Sequence, residues 1–182
     1  AELIRLIQKG NKSAVGQLMD RHGNDLMNYL VSILNDRDSA EDVFQDTWSR
    51  VIEKITGFHP ELPFAPWLFR IARNRAYDLL RWRRRWWSTP PRQEQEGSRL
   101  SELPASDDLT NTLVSRDLVR HLLAGLDPKS REVLWLRFFK EYSYEEIGEL
   151  CRLPLGTVKS RLRRALERVA TRYWELEREH NE

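Results

Sequence analysis

Between Arg70 and Arg92 eight arginines (70, 73, 75, 81, 83, 84, 85 and 92) stand against one acid, Asp78. Guanidinium groups at that density suit a polyanion, because each can neutralise a phosphate and release its counterions. Within the stretch, RWRRRWW at 81–87 alternates guanidinium with indole. Cations that follow a phosphate backbone, beside rings that stack on bases, make a single-strand-binding chemistry of about 1–3 kcal/mol per stacked base. Trp82 and Trp86 can equally be core residues capped by solvated arginines. The pattern leaves both roles open.

A second cationic cluster lies near the C-terminal end, in SYEEIGELCRLPLGTVKSRLRRALERVA from Ser143 to Ala170. Ile147, Leu150 and Cys151 give a short first helix one apolar side, and Gly148 leaves room for a second helix to approach. Arg152, Leu153 and Pro154 break the pattern, since proline disfavours helix in the residue before it. Pro154 suits the start of a new helix because it leaves no N–H unpaired. Val158, Leu162, Ala165, Leu166 and Val169 then recur at 3.6-residue spacing as a predicted buried stripe. Ser160, Arg163 and Arg164 face away from it, with Lys159 and Arg161 on its flanks. This is a helix-turn-helix whose second helix can enter a major groove. There Arg or Lys pairs with guanine edges or holds phosphates, and Ser donates or accepts. A solvated amphipathic helix closing a bundle has the same periodicity, but the tight turn and clustered cations count against it.

The elements that must hold these groups are helical throughout. Leu3, Ile4, Leu6 and Ile7 predict a first helix, stopped by Gly10-Asn11. A second runs from about Ser13, and Gly23-Asn24 is expected to interrupt it. Leu26, Met27, Leu30, Val31, Ile33 and Leu34 make a strongly apolar helix ending near Asn35. The next is predicted over Ser39 to Ile55, with Ser39 as its N-cap and Asp42 in the reciprocal position. Phe44, Trp48, Val51, Ile52 and Ile55 form its predicted buried stripe. Asp42, Gln45, Asp46 and Ser49 lie on its other sides, as mere solvation or as a docking surface for a protein.

Residues 57–67, GFHPELPFAPW, carry three prolines and a glycine and read as an ordered loop. Pro66 is expected to open a long helix over Trp67 to Arg85. Trp67, Leu68, Ile71, Ala72, Leu79 and Leu80 supply its core contacts, and Arg70, Arg73, Asn74, Tyr77, Arg81 and Arg84 extend around the rest. At 88–108 apolar periodicity gives way to Pro, Ser, Gly and acids, the composition of a linker. Helices resume at Leu109 to Leu126, then from Asp127-Pro128 through Val133, Leu134, Leu136, Arg137 and Phe138. The expected fold is all-α: two small helical domains, 1–87 and 109–182, joined by that flexible linker, with the helix-turn-helix in the second.

With 182 residues, 32% of them charged and 40% hydrophobic, the chain can build one or two modest cores. Its one cysteine supports neither a disulfide framework nor a cysteine-based zinc site. Cys151 reads as a buried small hydrophobe. No apolar run approaches membrane-spanning length and no signal peptide opens the sequence, so a cytoplasmic location is the default.

Three stretches together resemble the extracytoplasmic-function (ECF) sigma factors, the minimal group of bacterial RNA polymerase sigma factors in the sigma-70 family. DSAEDVFQDTWSRV (38–51) is similar to the acidic helix by which that family's region 2 grips the polymerase clamp helices. PFAPWLFRIARNRAYDLLRWRRR (63–85) is similar to its promoter-melting and −10-recognition segment. YSYEEIGELCRLPLGTVKSRLRRALERV (142–169) is similar to its −35-reading region 4, with the P-x-G-T-V-K-S-R signature. RWRRRWW is richer in tryptophan than is usual there, and the loop ELPFAP is less polar.

The resemblance implies a transcription initiation factor without catalysis or cofactor of its own. Asp42, Gln45, Asp46 and Trp48 would form or support the polymerase-binding face, Trp48 as core support. Phe58 and Asn74 would line a pocket for a flipped-out −10 base, since extrusion needs a pocket that compensates lost stacking. Trp67, Arg70, Arg73, Arg81 and Arg84 would support that pocket and engage phosphates. Thr157, Lys159, Ser160, Arg161, Arg163 and Arg164 would face the −35 duplex. Implied partners are core RNA polymerase (the clamp helices of β′ and the flap of β), promoter DNA and an anti-sigma factor, with no small-molecule substrate or membrane insertion. A free-standing helix-turn-helix regulator is the main rival reading; an acidic docking face and a basic-aromatic helix fit a dimerisation domain poorly. A hydrolase built on Asp42, Asp46 and His59 lacks metal-ligand spacing or a nucleophile–base pair.

Overall fold

The structure is a computed structural model that describes residues 1–86, 118 and 122–181, with side chains through Arg178. The described residues contain helices and no strand, in two separate units, one on either side of the interval 87–117. The predicted linker at 88–108, Trp87 and the start of the helix expected from Leu109 lie outside the described residues; 122–124 are helical.

The N-terminal unit contains α1 (Glu2–Gln8), α2 (Ser13–Leu34), α3 (Arg37–Lys54), a 3-10 turn (Ile55–Gly57) and α4 (Phe64–Trp86). Helices α2, α3 and α4 pack pairwise into a bundle, and α1 lies against α2 and the 3-10 turn. Gly10, at φ 90°, stops α1 as its composition predicts, and the amides of Gly10 and Asn11 reach back to the carbonyls of Ile7 and Leu6.

Gly23-Asn24 does not interrupt α2, contrary to the sequence expectation. Leu18, Leu26, Tyr29, Leu30 and Ile33 are all buried along that helix. Their burial, at about 1.5–3 kcal/mol for each large side chain, outweighs the roughly 1 kcal/mol cost of a mid-helix glycine. Gly23 also makes room: a Cβ there would sit 3.6 Å from the Phe44 ring of α3.

Asn35 takes the left-handed conformation that ends α2, and extended Asp36 starts α3. Ser39 is therefore inside the helix and buried, not its cap, and its hydroxyl donates to the Asp36 carboxylate. The buried side of α3 is turned from the predicted stripe toward Ala40, Val43, Thr47, Trp48 and Val51, leaving Ile52 48% exposed. Helix α4 begins at Phe64, three residues before the expected Trp67, with Pro66 inside its first turn. Amides of the first turn have no intrahelical partner, so a proline there breaks nothing. Leu68, Phe69, Ala72 and Ala76 form its fully buried side, whereas Trp67, Ile71, Leu79 and Leu80 are only half-buried.

The C-terminal unit contains α5 (Pro128–Phe138), α6 (Tyr144–Cys151) and α7 (Leu155–Asn181). Asp127 caps α5 by accepting from the Lys129 and Ser130 amides at 3.0 and 3.1 Å, with Pro128 at the first helical position. Ser143 and Glu146 form a reciprocal capping box on α6. Val133, Leu136, Ile147, Leu150, Cys151, Val158, Leu162 and Ala165 make the core. Leu166, placed in the stripe by its spacing, is 42% exposed, and Val169 is half-buried. No described helix is long and apolar enough to cross a membrane.

Candidate functional site

The loop before α4 is pinned from below. Gln8 donates through Nε2 to the carbonyls of Ile55 and Phe58, at 2.8 and 2.7 Å, tying α1 to the 3-10 turn. Phe58, Phe64 and Trp67 close into an aromatic cluster, with Phe58 and Trp67 centroids 4.6 Å apart and Phe58 edge-on to Phe64. Trp48 and His22 extend the cluster through Phe64. Phe58 is 7% exposed, so it is part of the floor beneath the loop, while Trp67 is half-buried at its edge.

Past that floor, Arg70, Asn74, Tyr77, Arg81 and Arg84 succeed one another at intervals of four, three, four and three residues. That spacing sets them in one row along α4. Arg70, Asn74, Arg81 and Arg84 are exposed; Arg73 and Tyr77 are half-buried, with the guanidinium 4.7 Å from the ring centroid. The arginine run is sorted by the fold. Arg75 turns to Asp46 of α3, and Arg83 to Asp36 and Ser39. Arg81 pairs with Asp78 on its own helix. Arg70, Arg84 and Arg85 make no ion pair among the described residues. Partial burial pushes the Asp36 carboxyl up, but hydrogen bonds from Ser39 and Arg83 and the Arg83 charge outweigh it and hold the group below the usual carboxylate range.

On α3, Asp42 and Gln45 are exposed. Asp46 is held by Arg75 and lies 3.6 Å from Arg50. Trp48 is 3% exposed, and its indole N–H has no hydrogen-bond partner among the described residues. Its ring is wedged against Phe44 and Phe64, the arrangement of a side chain that supports a surface from beneath.

The turn between α6 and α7 explains Gly148. A Cβ there would meet the Leu153 carbonyl oxygen at 3.0 Å, while Val158 of the following helix is 3.9 Å away. The tighter constraint is thus the turn itself, not the approach of a helix. The Leu153 amide returns to the Gly148 carbonyl at 2.9 Å, and Arg152 takes a positive φ of 55°. Pro154 accepts from the Thr157 and Val158 amides, which starts α7.

On α7, Lys159, Arg163 and Arg164 are exposed and Thr157, Ser160 and Arg161 half-buried. Ser160 donates back to the Thr157 carbonyl at 3.1 Å, and Arg163 pairs with Glu167 at 2.8 Å. Arg164 makes no ion pair among the described residues. Burial raises the Asp127 carboxyl, but bonds from Ser130 and Lys129, with a smaller effect of the Arg161 charge, hold it lower. Tyr144, passed over in the sequence, lies between two cations, 5.4 Å from Arg137 and 5.8 Å from Lys159. The two cations come from two other helices, α5 and α7, which no local pattern reveals. Among the described residues no cluster of His, Cys, Asp or Glu could hold a metal ion.

The two units match two family models: Sigma-70 region 2 over residues 18–88, and Sigma-70, region 4 over 116–169. The chain is 32% identical over 173 residues to the RNA polymerase sigma factor CarQ of Myxococcus xanthus, across 93% of this chain and 95% of that one. It is 28% identical over 170 residues to the ECF RNA polymerase sigma factor SigW of Bacillus subtilis, across 90% and 91% of the two chains. Among solved structures it is similar to the sigma factor RpoE of Bartonella quintana, in complex with the anti-sigma factor NepR. That likeness has a TM-score of 0.69 and 28% identity, over 87% of this chain and 95% of that chain. CnrH, in complex with the cytosolic domain of CnrY, gives a TM-score of 0.65 and 30% identity, over 93% of both chains. Matches that span both units exclude a regulator sharing only the helix-turn-helix: the chain belongs to the RNA polymerase sigma factors of the sigma-70 family, in their ECF group.

Proposed function

We propose that the chain docks on core RNA polymerase through the polar face of α3 and gives it promoter specificity at two points. Asp42 and Gln45 contact the clamp helices directly, Asp46 contributes to the same face while held by Arg75, and Trp48 supports it from the core. The row Arg70, Asn74, Arg81 and Arg84, with Arg73 and Trp67 beside it, holds the melted −10 strand. A flipped base sits over the floor that includes Phe58. Thr157, Lys159, Ser160, Arg161, Arg163 and Arg164 face the −35 duplex. Nucleotidyl transfer belongs to the polymerase, so the factor acts in the compartment that holds the enzyme. An anti-sigma partner fits the same reading, because RpoE and CnrH are each seen bound to such a protein or its counterpart.

The observation that carries this proposal is the sorting of arginines on α4. Arg75 and Arg83 are consumed by α3, whereas Arg70 and Arg84 stand exposed in one row with Asn74. A helix needing only solubility has no reason to divide its cations so.

Run-off transcription with purified core polymerase tests the proposal. Added chain should create new start sites whose alignment yields two spaced elements, and Asn74→Ala should lower open-complex formation while sparing core binding. No core binding, with tight duplex binding by the chain alone, would end the reading. Equal loss of core binding and opening in Asn74→Ala would assign that residue to folding.

A further inference from the structure

In the sequence, the tryptophans of RWRRRWW interleave with its arginines; in the helix they separate. At about 100° per residue, Trp82 and Trp86 lie roughly 100–140° around α4 from the Arg70–Asn74–Arg81 row. Trp82 is instead within about 20° of Arg75, the residue that reaches across to Asp46. One position on, Arg83 reaches Asp36 and Ser39 at the start of α3. These two bridges run the helices antiparallel and turn the Trp82 side of α4 toward α3, which exposes Asp38, Asp42 and Gln45.

Trp82 is 53% and Trp86 70% exposed, and their ring centroids are 6.4 Å apart. Neither is core, although each indole covers a large apolar area. Two adjacent exposed indoles differ from the scattered apolar residues any surface carries. Rings beside carboxylates have the composition of an interface centre with a charged rim, where tryptophan is enriched among the residues that dominate binding.

We infer that Trp82 and Trp86 extend the docking face of α3 and anchor it on core RNA polymerase, against a helical surface that offers apolar groups and basic side chains. Charge complementarity selects the occupant: Trp82 shares the side of α4 from which Arg75 reaches α3, and the exposed Asp38 and Asp42 of α3 would repel a phosphate backbone and attract lysine or arginine. The inference rests on the proposed docking role of α3 and adds to it a pair of apolar anchors from a different helix.

The test is the affinity of the full chain for core polymerase without DNA, for wild type, W82A/W86A, W82R/W86R and D42A/Q45A. The expected loss is about 10- to 100-fold for W82A/W86A, and a larger one for W82R/W86R, because added cations would meet a basic partner. Both tryptophans are exposed, so melting temperatures should match wild type; the arginine pair, better solvated still, serves if the alanine pair does not fold. Wild-type affinity in both tryptophan variants, with weakening in D42A/Q45A, overturns the inference and leaves the docking role of α3 standing. Unchanged affinity in all three removes both. Wild-type core affinity with a loss appearing only once promoter DNA is added, rescued by arginine, makes the pair a nucleic-acid stacking surface and overturns the inference as well.

Discussion

Helices α4 and α7 carry the same sequence signature, an apolar stripe interrupted by many arginines, yet the fold uses them differently. Helix α4 is packed along much of its length, with Leu68, Phe69, Ala72 and Ala76 all at most 1% exposed, and α3 binds two of its arginines. Among the described residues the buried side chains of helix α7 are Val158, Leu162 and Ala165; beyond Ala165 none is buried. Its cations pair locally, as Arg163 does with Glu167, or stay exposed like Arg164. The difference teaches that a count of arginines does not measure a nucleic-acid surface. What matters is which guanidinium groups the neighbouring helices leave over, and how rigidly the helix that bears them is held.

The sharpest test of that contrast pairs two leucines of similar periodicity. Leu68→Ala in α4 removes a side chain that is 0% exposed and should cost about 2–5 kcal/mol. Leu166→Ala in α7 removes one that is 42% exposed and should cost within about 0.5 kcal/mol. Urea unfolding followed by circular dichroism measures both. Similar losses would mean that α7 is packed along its second half too.

A functional contrast comes next. Arg164→Ala should cost about 1–3 kcal/mol of −35 discrimination if its guanidinium reads a base edge, with little change in stability because the side chain is exposed and makes no ion pair among the described residues. Transcription from promoters with intact and substituted −35 elements gives the ratio. An unchanged ratio would move base reading to Lys159 or Ser160.

The turn that aims α7 is the third point of attack. Gly148→Ala gains about 1 kcal/mol of helix propensity, but its Cβ meets the Leu153 carbonyl oxygen at 3.0 Å. That oxygen belongs to a turn already fixed by the Leu153 amide on Gly148, so it yields poorly. Strain of about 1–3 kcal/mol should leave a small net loss of stability in the C-terminal unit. A stabilised variant would show that the turn can relax.

Much of the architecture is legible in the sequence because its signals are local. Gly10 at the end of α1, Asp127-Pro128 at the start of α5 and the break at Arg152–Pro154 each act through their own backbone, and each is where the structure has it. The errors fall where neighbours in space decide. Gly23-Asn24 reads as a break, but the apolar side of α2 carries the helix through it. Ser39 reads as a cap, but Asp36, three residues earlier, starts α3 and leaves Ser39 beneath Arg83. Pro66 reads as a helix start because proline is tolerated anywhere in a first turn, so it marks the turn and not the residue. For the candidate site, periodicity could place Arg70, Asn74 and Arg81 on one side of α4. It could not show that Arg75 and Arg83 turn to α3, because their partners are 29 and 47 positions away.

The partner that binds Arg83, one of the arginines α4 turns to α3, can itself be titrated. The Asp36 carboxyl is held below its usual range, so its ionised form is bound more tightly in the folded state than in the unfolded one. The resulting stability is fully present above the unfolded aspartate value, near pH 4, and is lost as pH falls through the lower folded value. Both side chains are about two-fifths exposed, which keeps the pair in the screened range of about 0.2–1 kcal/mol. Arg83→Ala should therefore lower the urea midpoint modestly at pH 7, and by progressively less as pH falls below the unfolded aspartate value and Asp36 takes up its proton. The same substitution should leave −10 strand binding nearly unchanged, whereas Arg84→Ala, one residue along, should weaken it with little effect on stability. An exchange of these two outcomes would show that α4 divides its arginines between fold and nucleic acid differently from the way its ion pairs indicate.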